Sequence, residues 1–189
     1  VSSCLRFRPK GEGKTTTSIN IATSLAQNGA SVLIIDADHR APRLHDIFNL
    51  PNERGLSTLL TEEINSTNLD DLLIEKKVNL HILTSGQFPY DCSEYLGPNR
   101  MGKLLKVLEP LFDYIIIDSP PITVFADSAV MASIVDGVML VVQQNRNSSE
   151  ILKQTRKSLT MVGANIVGVI LNKVNNSLEK YDYRNYYVK

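Results

Sequence analysis

The chain has 189 residues, 43% of them apolar and 21% charged, which suits one domain with a full hydrophobic core. Its 20 basic and 20 acidic residues cancel, which removes any argument from charge for nucleic acid or an anionic membrane as the main partner. Two cysteines, Cys4 and Cys92, fit neither a disulfide framework nor a zinc site, and no apolar run approaches the roughly 20 residues of a membrane-spanning helix.

The chain opens at Val1, without Met or a visible signal peptide, as a domain cut from a longer protein would. Residues 1–7 make a poor buried strand, because Ser2, Ser3 and Arg6 interrupt the apolar residues, so a truncated or atypical first strand is expected. A glycine-rich stretch over 11–16 then leads into a helix over 15–27, with Ile19, Ala22, Leu25 and Ala26 at helical spacing. Asn28-Gly29 is a good stop for that helix. Residues 32–35 form a continuous apolar run rich in β-branched residues that ends in Asp36, and residues 42–66 read as helix pieces and loop. Residues 78–84 alternate more and are expected nearer a sheet edge. A helix over 100–108 places Met101, Leu104, Leu105 and Leu108 on one face. Two more apolar strands follow, 114–117 into Asp118 and 138–142 into Gln143. A helix over 148–161 and a last apolar strand over 166–171 complete the pattern. Short continuous apolar runs are what strands covered on both faces look like. Their alternation with helices implies a three-layer α/β fold, a mostly parallel central sheet flanked by helices. One domain is expected over 1–175, followed by a polar, tyrosine-rich tail over 176–189.

Gly11-Glu12-Gly13-Lys14-Thr15-Thr16 has the order a phosphate-binding loop requires, directly before the first helix. Glycines let backbone N–H groups turn toward phosphate oxygens, and the helix N-terminus adds partial positive charge. Lys14 is placed to reach the β- and γ-phosphates, and the Thr15 hydroxyl to bind Mg²⁺. The standard pattern wants a small residue where Arg8 stands, and Pro9-Lys10 is unusual just before Gly11. Asp36, Asp38 and Asp118 end two of the apolar strands. In an open parallel sheet ligands sit beyond those carboxyl ends, so all three carboxylates are expected to face the phosphates. One or two of them suffice for Mg²⁺, and another can accept a proton from an attacking hydroxyl. Taken alone, any one of them reads equally as a turn or helix cap. His39, His45 and His81 are too scattered to suggest a metal cluster.

With these residues in place the chain resembles the cytoplasmic kinase domain of bacterial tyrosine kinases linked to capsular and exopolysaccharide synthesis, which are similar to the Min/Par class of P-loop ATPases. The segment 11–17 resembles the family's Walker A core. The stretch 32–42, with Asp36-Ala37-Asp38, looks like its second acidic motif, Walker A′, and 113–121 looks like its Walker B. Gly86, Pro89, Ser93-Glu94 and Arg100-Met101 fit the stretch between those motifs, and Asn172 sits where the family's Asn meets the nucleotide base. Tyr181, Tyr183, Tyr186 and Tyr187 resemble its cluster of phospho-acceptors.

The resemblance implies an ATP- and Mg²⁺-dependent protein-tyrosine autokinase. In it Gly11, Glu12, Gly13, Lys14, Thr15, Thr16 and Asn172 bind nucleotide, and Thr15, Asp118 and Asp38 serve the metal. Lys14, Asp36 and Asp38 are then catalytic, with Asp36 expected to orient and deprotonate the phenol. It further implies a membrane adaptor of the polysaccharide chain-length-regulator type, self-association through tail docking, and a cytoplasmic location at the inner membrane face without direct insertion. A Min/Par-like ATPase switch and an inactive scaffold of the same fold stay open as alternatives.

Overall fold

A computed structural model of the chain describes residues 2–6, 11–62, 66–88, 95–120, 126–144 and 149–174. The tyrosine cluster, Arg8, Pro9, Lys10, Pro89, Ser93 and Glu94 lie outside the described residues. Seven strands form one sheet: β1 Ser2–Arg6, β2 Val32–Asp36, β3 Ile74–Lys77, β4 Leu80–Leu83, β5 Tyr114–Asp118, β6 Gly137–Gln143 and β7 Ile166–Asn172. Their spatial order is β3-β4-β2-β5-β1-β6-β7, and every pairing is parallel except that of β3 with β4. The helices are α1 Lys14–Gln27, α2 Leu44–Phe48, α3 Leu56–Thr61, α4 Ser66–Leu72, α5 Met101–Leu108, α6 Ala126–Ala132 and α7 Ser149–Met161.

Successive strand residues point to opposite faces, and here each face has its own core. Leu33, Ile35, Ile115 and Ile117 pack on one side with Leu104, Leu105, Leu108 and Leu159 from α5 and α7. Val32, Ile34 and Ile116 pack on the other with Ala22 and Ala26 of α1. That is the three-layer arrangement expected of the apolar runs. β2 is buried along its whole length, as its unbroken Val-Leu-Ile-Ile run requires.

The segment expected to be a truncated first strand is a five-residue strand in the interior of the sheet, between β5 and β6. Ser3 pairs with Ile116 on one side and with Gly137 on the other. Backbone pairing on both edges makes no demand on side-chain type, so hydropathy under-reads such a strand. The strand expected over 78–84 starts two residues later, at Leu80. Val78 is 79% exposed and Asn79 has φ 64, so together they make the turn of a hairpin whose other arm is β3. Three of the four β3 residues are exposed, which left that edge strand without an apolar pattern to read. Among the described residues no helix is long and apolar enough to cross a membrane.

Candidate nucleotide and metal site

The turn before α1 is built on glycine. Gly11 has φ 103 and Gly13 φ 89, left-handed conformations that other residues adopt only with strain. A Cβ on Gly13 would also lie 2.3 Å from Nδ2 of Asn172. α1 opens without a side-chain cap and without an acidic residue in its first turn. Its N-terminal N–H groups and partial positive charge are thus left for an anion. A cavity of about 310 Å³ lies over this turn. Residues 11–16 form one wall, and Asp38, Ala41, Arg43, Asp46 and Ile47 form the other.

The carboxylates occupy three different settings. Asp118 is 2% exposed at the end of β5. Its Oδ2 accepts a 2.5 Å hydrogen bond from the Thr15 hydroxyl, and its Oδ1 a 3.3 Å bond from the Ser18 hydroxyl. Burial pushes its pKa up to about 7, against the bond from Thr15 and the charge of Lys14. Asp36 pairs in register with Asp118 on the neighbouring strand, and its charge also raises Asp118. Asp36 itself is fully buried. Its Oδ2 accepts the backbone N–H groups of Arg43 (2.8 Å) and Leu44 (2.9 Å), and its Oδ1 that of Asp38 (3.2 Å). Burial outweighs those three donors and raises its pKa to about 6. Asp38 is half-buried and faces the cavity, its pKa raised by burial and held back by the Ala41 N–H and the charge of Lys14.

The loop, Lys14, Thr15, Thr16, Asp38 and Asp118 thus meet in one place, as the sequence suggested. Asp36 does not have the exposure expected of a base. Both its oxygens hold backbone, and it ties the start of α2 to the end of β2. Asn172, expected at the base, stands at the end of β7 beside the phosphate loop. Its Nδ2 donates to the Glu12 carbonyl at 2.8 Å, so the end of β7 buttresses the phosphate loop. Lys173, which the sequence did not single out, donates from Nζ to the Gly11 carbonyl. Ser18, also missed, stands one helical turn below Lys14, the i, i+4 spacing that marks a shared helix face. Arg43 lines the cavity, whereas Arg40 is exposed. The His39 ring packs at a tilt against Phe88 with centroids 5.4 Å apart, the His81 ring meets Phe112 edge-on at 5.2 Å, and His45 lies 3.1 Å from Asp46.

The donor set suits Mg²⁺, an oxygen-seeking ion that keeps several waters and takes few protein ligands. A hydroxyl and a buried carboxylate already in contact supply such a pair. Among the described residues no group of three His, Cys, Asp or Glu side chains stands ready to hold a metal by itself.

A family model described as an AAA domain matches residues 7–179. The tyrosine-protein kinase CpsD of Streptococcus agalactiae is 37% identical over 94% of this chain and 77% of its own length. The tyrosine-protein kinase YwqD of Bacillus subtilis is 33% identical over 94% of this chain and 73% of its own. Among solved structures, the kinase domain of the Escherichia coli tyrosine kinase ETK superposes with a TM-score of 0.86 at 31% identity, over 93% of this chain and 68% of that one.

Proposed function

The chain belongs to the bacterial tyrosine-kinase family of AAA-domain proteins, and from that membership we propose that it transfers the γ-phosphoryl group of ATP to tyrosine hydroxyls, those of its own tail included. The observation that carries this reading is the contact of Thr15 with the buried Asp118 carboxylate at the foot of the Lys14 loop, where a P-loop enzyme holds its metal. Lys14 and the amides of residues 11–16 hold the phosphates. Thr15 and Asp118 would hold Mg²⁺, which when bound would supply positive charge against the phosphates.

Of Asp36 and Asp38, it is Asp38 that borders the cavity. We assign it the attacking phenol, and we assign Asp36 the placing of Asp38 through its bond to the Asp38 N–H. A free tyrosine has a pKa of about 10. In a loose transition state orientation of that hydroxyl counts for more than its full deprotonation, so an accepting carboxylate suffices. The family membership also favours a membrane adaptor of the chain-length-regulator type, which would hold the domain at the inner membrane face in polysaccharide synthesis.

Calorimetric titration of Lys14→Met with Mg-ATP tests the site. Heat of binding is expected to vanish while circular dichroism is retained, and wild-type affinity in this variant would refute the assignment.

A further inference from the structure

Edge strand β7 and helix α7 enclose a groove of about 530 Å³ on the side of the sheet away from α1. Its floor is apolar: Leu140, Leu152, Ile166 and Val169. Its rim is basic, with Lys153 and Arg156, and Lys157 follows in an adjoining hollow beside Met161, which is 77% exposed. Beyond Glu150 in its first turn α7 carries no acidic residue. Among the described residues no carboxylate pairs with any of these three cations. An apolar trough beneath a row of unmatched cations fits an occupant with an apolar body and an anionic head.

The chain itself holds a candidate. Fifteen residues follow Val174, and four of them are Tyr181, Tyr183, Tyr186 and Tyr187. From Val174 to Tyr181 an extended backbone reaches about 23 Å. Val169 lies in the groove three residues before the end of β7, about 10 Å back along the strand, so all four tyrosines can reach it. Unmodified, the tail carries three basic residues against two acidic ones and has no electrostatic reason to settle there. A phosphotyrosine adds about −1.5 to −2 charge at neutral pH, so one or two modifications reverse the sign. It also joins an aromatic ring to the phosphate, which is the combination that this floor and rim would take.

We propose that the C-terminal tail, once phosphorylated on tyrosine, docks on the α7–β7 groove of its own chain. The phosphates meet Lys153, Arg156 and Lys157, and a ring rests on the apolar floor. The source of the phosphate rests on the kinase reading above; the groove and its chemistry do not. Docking withdraws a spent tail from any neighbouring nucleotide cavity, so the product state is held by a second site and does not merely drift away.

The test supplies phosphorylation by synthesis, so that a failure of the kinase reading leaves it intact. The full chain with Phe at positions 181, 183, 186 and 187 is titrated with a peptide of residues 175–189 carrying phosphotyrosines. The unmodified peptide and a peptide with phosphoserines in their place are the controls. Phosphotyrosine peptide should bind at least about tenfold more tightly than either control, and a chain that also carries Lys153→Glu, Arg156→Glu and Lys157→Glu should lose that advantage. Methyl resonances of Leu152, Ile166 and Val169 should shift on binding, which locates the peptide without any variant. Equal binding by the charge-reversed chain, equal binding of the phosphoserine peptide, or loss of binding on Lys14→Met in its place would overturn the proposal.

Discussion

Asp118 stands in the described residues with a pKa near 7 and one hydroxyl at each oxygen. Its folded value lies above the ordinary carboxyl value of 3.8, so the neutral form stabilises the fold below that value, and the benefit is lost as pH rises through about 7. Asp36, raised to about 6, acts in the same direction. Asp118→Asn should therefore raise the melting temperature of the nucleotide-free chain at pH 8 more than at pH 5, and should remove Mg²⁺-dependent ATP binding at both. In the wild type, Mg-ATP affinity should weaken as pH falls from 8 to 6, because a protonated carboxyl no longer holds a dication. A flat affinity profile over that range would count against Asp118 as the metal ligand. Asp38→Asn should keep ATP binding within a few-fold but lose turnover; equal loss of both would show that Asp38 serves the metal instead. The loop and the three acids were legible because each signal is local, a glycine turn or a strand end. Their division of labour was not. It depends on the N–H groups of Arg43 and Leu44 closing on Asp36 from seven and eight residues away. The Asn172 bond to Glu12 was less legible still, since it spans 160 positions.

Helix α3 and the segment after β4 meet by close backbone approach at a glycine pair, Gly55 and Gly86. A Cβ on Gly55 would lie 2.3 Å from the Thr84 carbonyl oxygen and 2.7 Å from the Gly86 N. The start of α3 is stitched there to the segment after β4 by bonds from Leu56 N to Thr84 O (2.8 Å) and Ser57 N to Ser85 O (2.9 Å). Backbone cannot step aside as a side chain does, so Gly55→Ala should cost about 3 kcal/mol or more, readable by urea denaturation. A cost within about 0.5 kcal/mol would mean that the contact relaxes readily. This contact was not legible beforehand, because Gly86 stood out only by resemblance, Gly55 not at all, and only tertiary structure brings them together. By contrast β2, β5 and β6 were plain as unbroken apolar runs rich in β-branched residues. The β1 segment was under-read for the opposite reason, as a strand that owes its place to pairing with two neighbours. Edge strand β3, three-quarters exposed, carries no apolar signal at all.

At the scale of the whole molecule the chain is neutral, and four phosphotyrosines would add roughly −6 to −8. On the kinase reading proposed above, an unmodified tail would enter a neighbour's cavity beside Asp38, whereas a phosphorylated one would meet that carboxylate and the ATP phosphates with like charge. Light scattering on an adaptor-associated form should therefore show a larger mass before autophosphorylation than after. The variant with Phe at all four tail positions should stay associated in both conditions, and an unchanged wild-type mass after full modification would remove this switch. The central claim is narrower: this fold moves phosphate from ATP to tyrosine. The most direct measurement is incubation of the chain with γ-labelled ATP and Mg²⁺, followed by mass-spectrometric mapping of the label. We predict label on Tyr181, Tyr183, Tyr186 and Tyr187, and none in Lys14→Met. Release of labelled inorganic phosphate with no tyrosine modified would contradict the account and identify the chain as an ATPase switch.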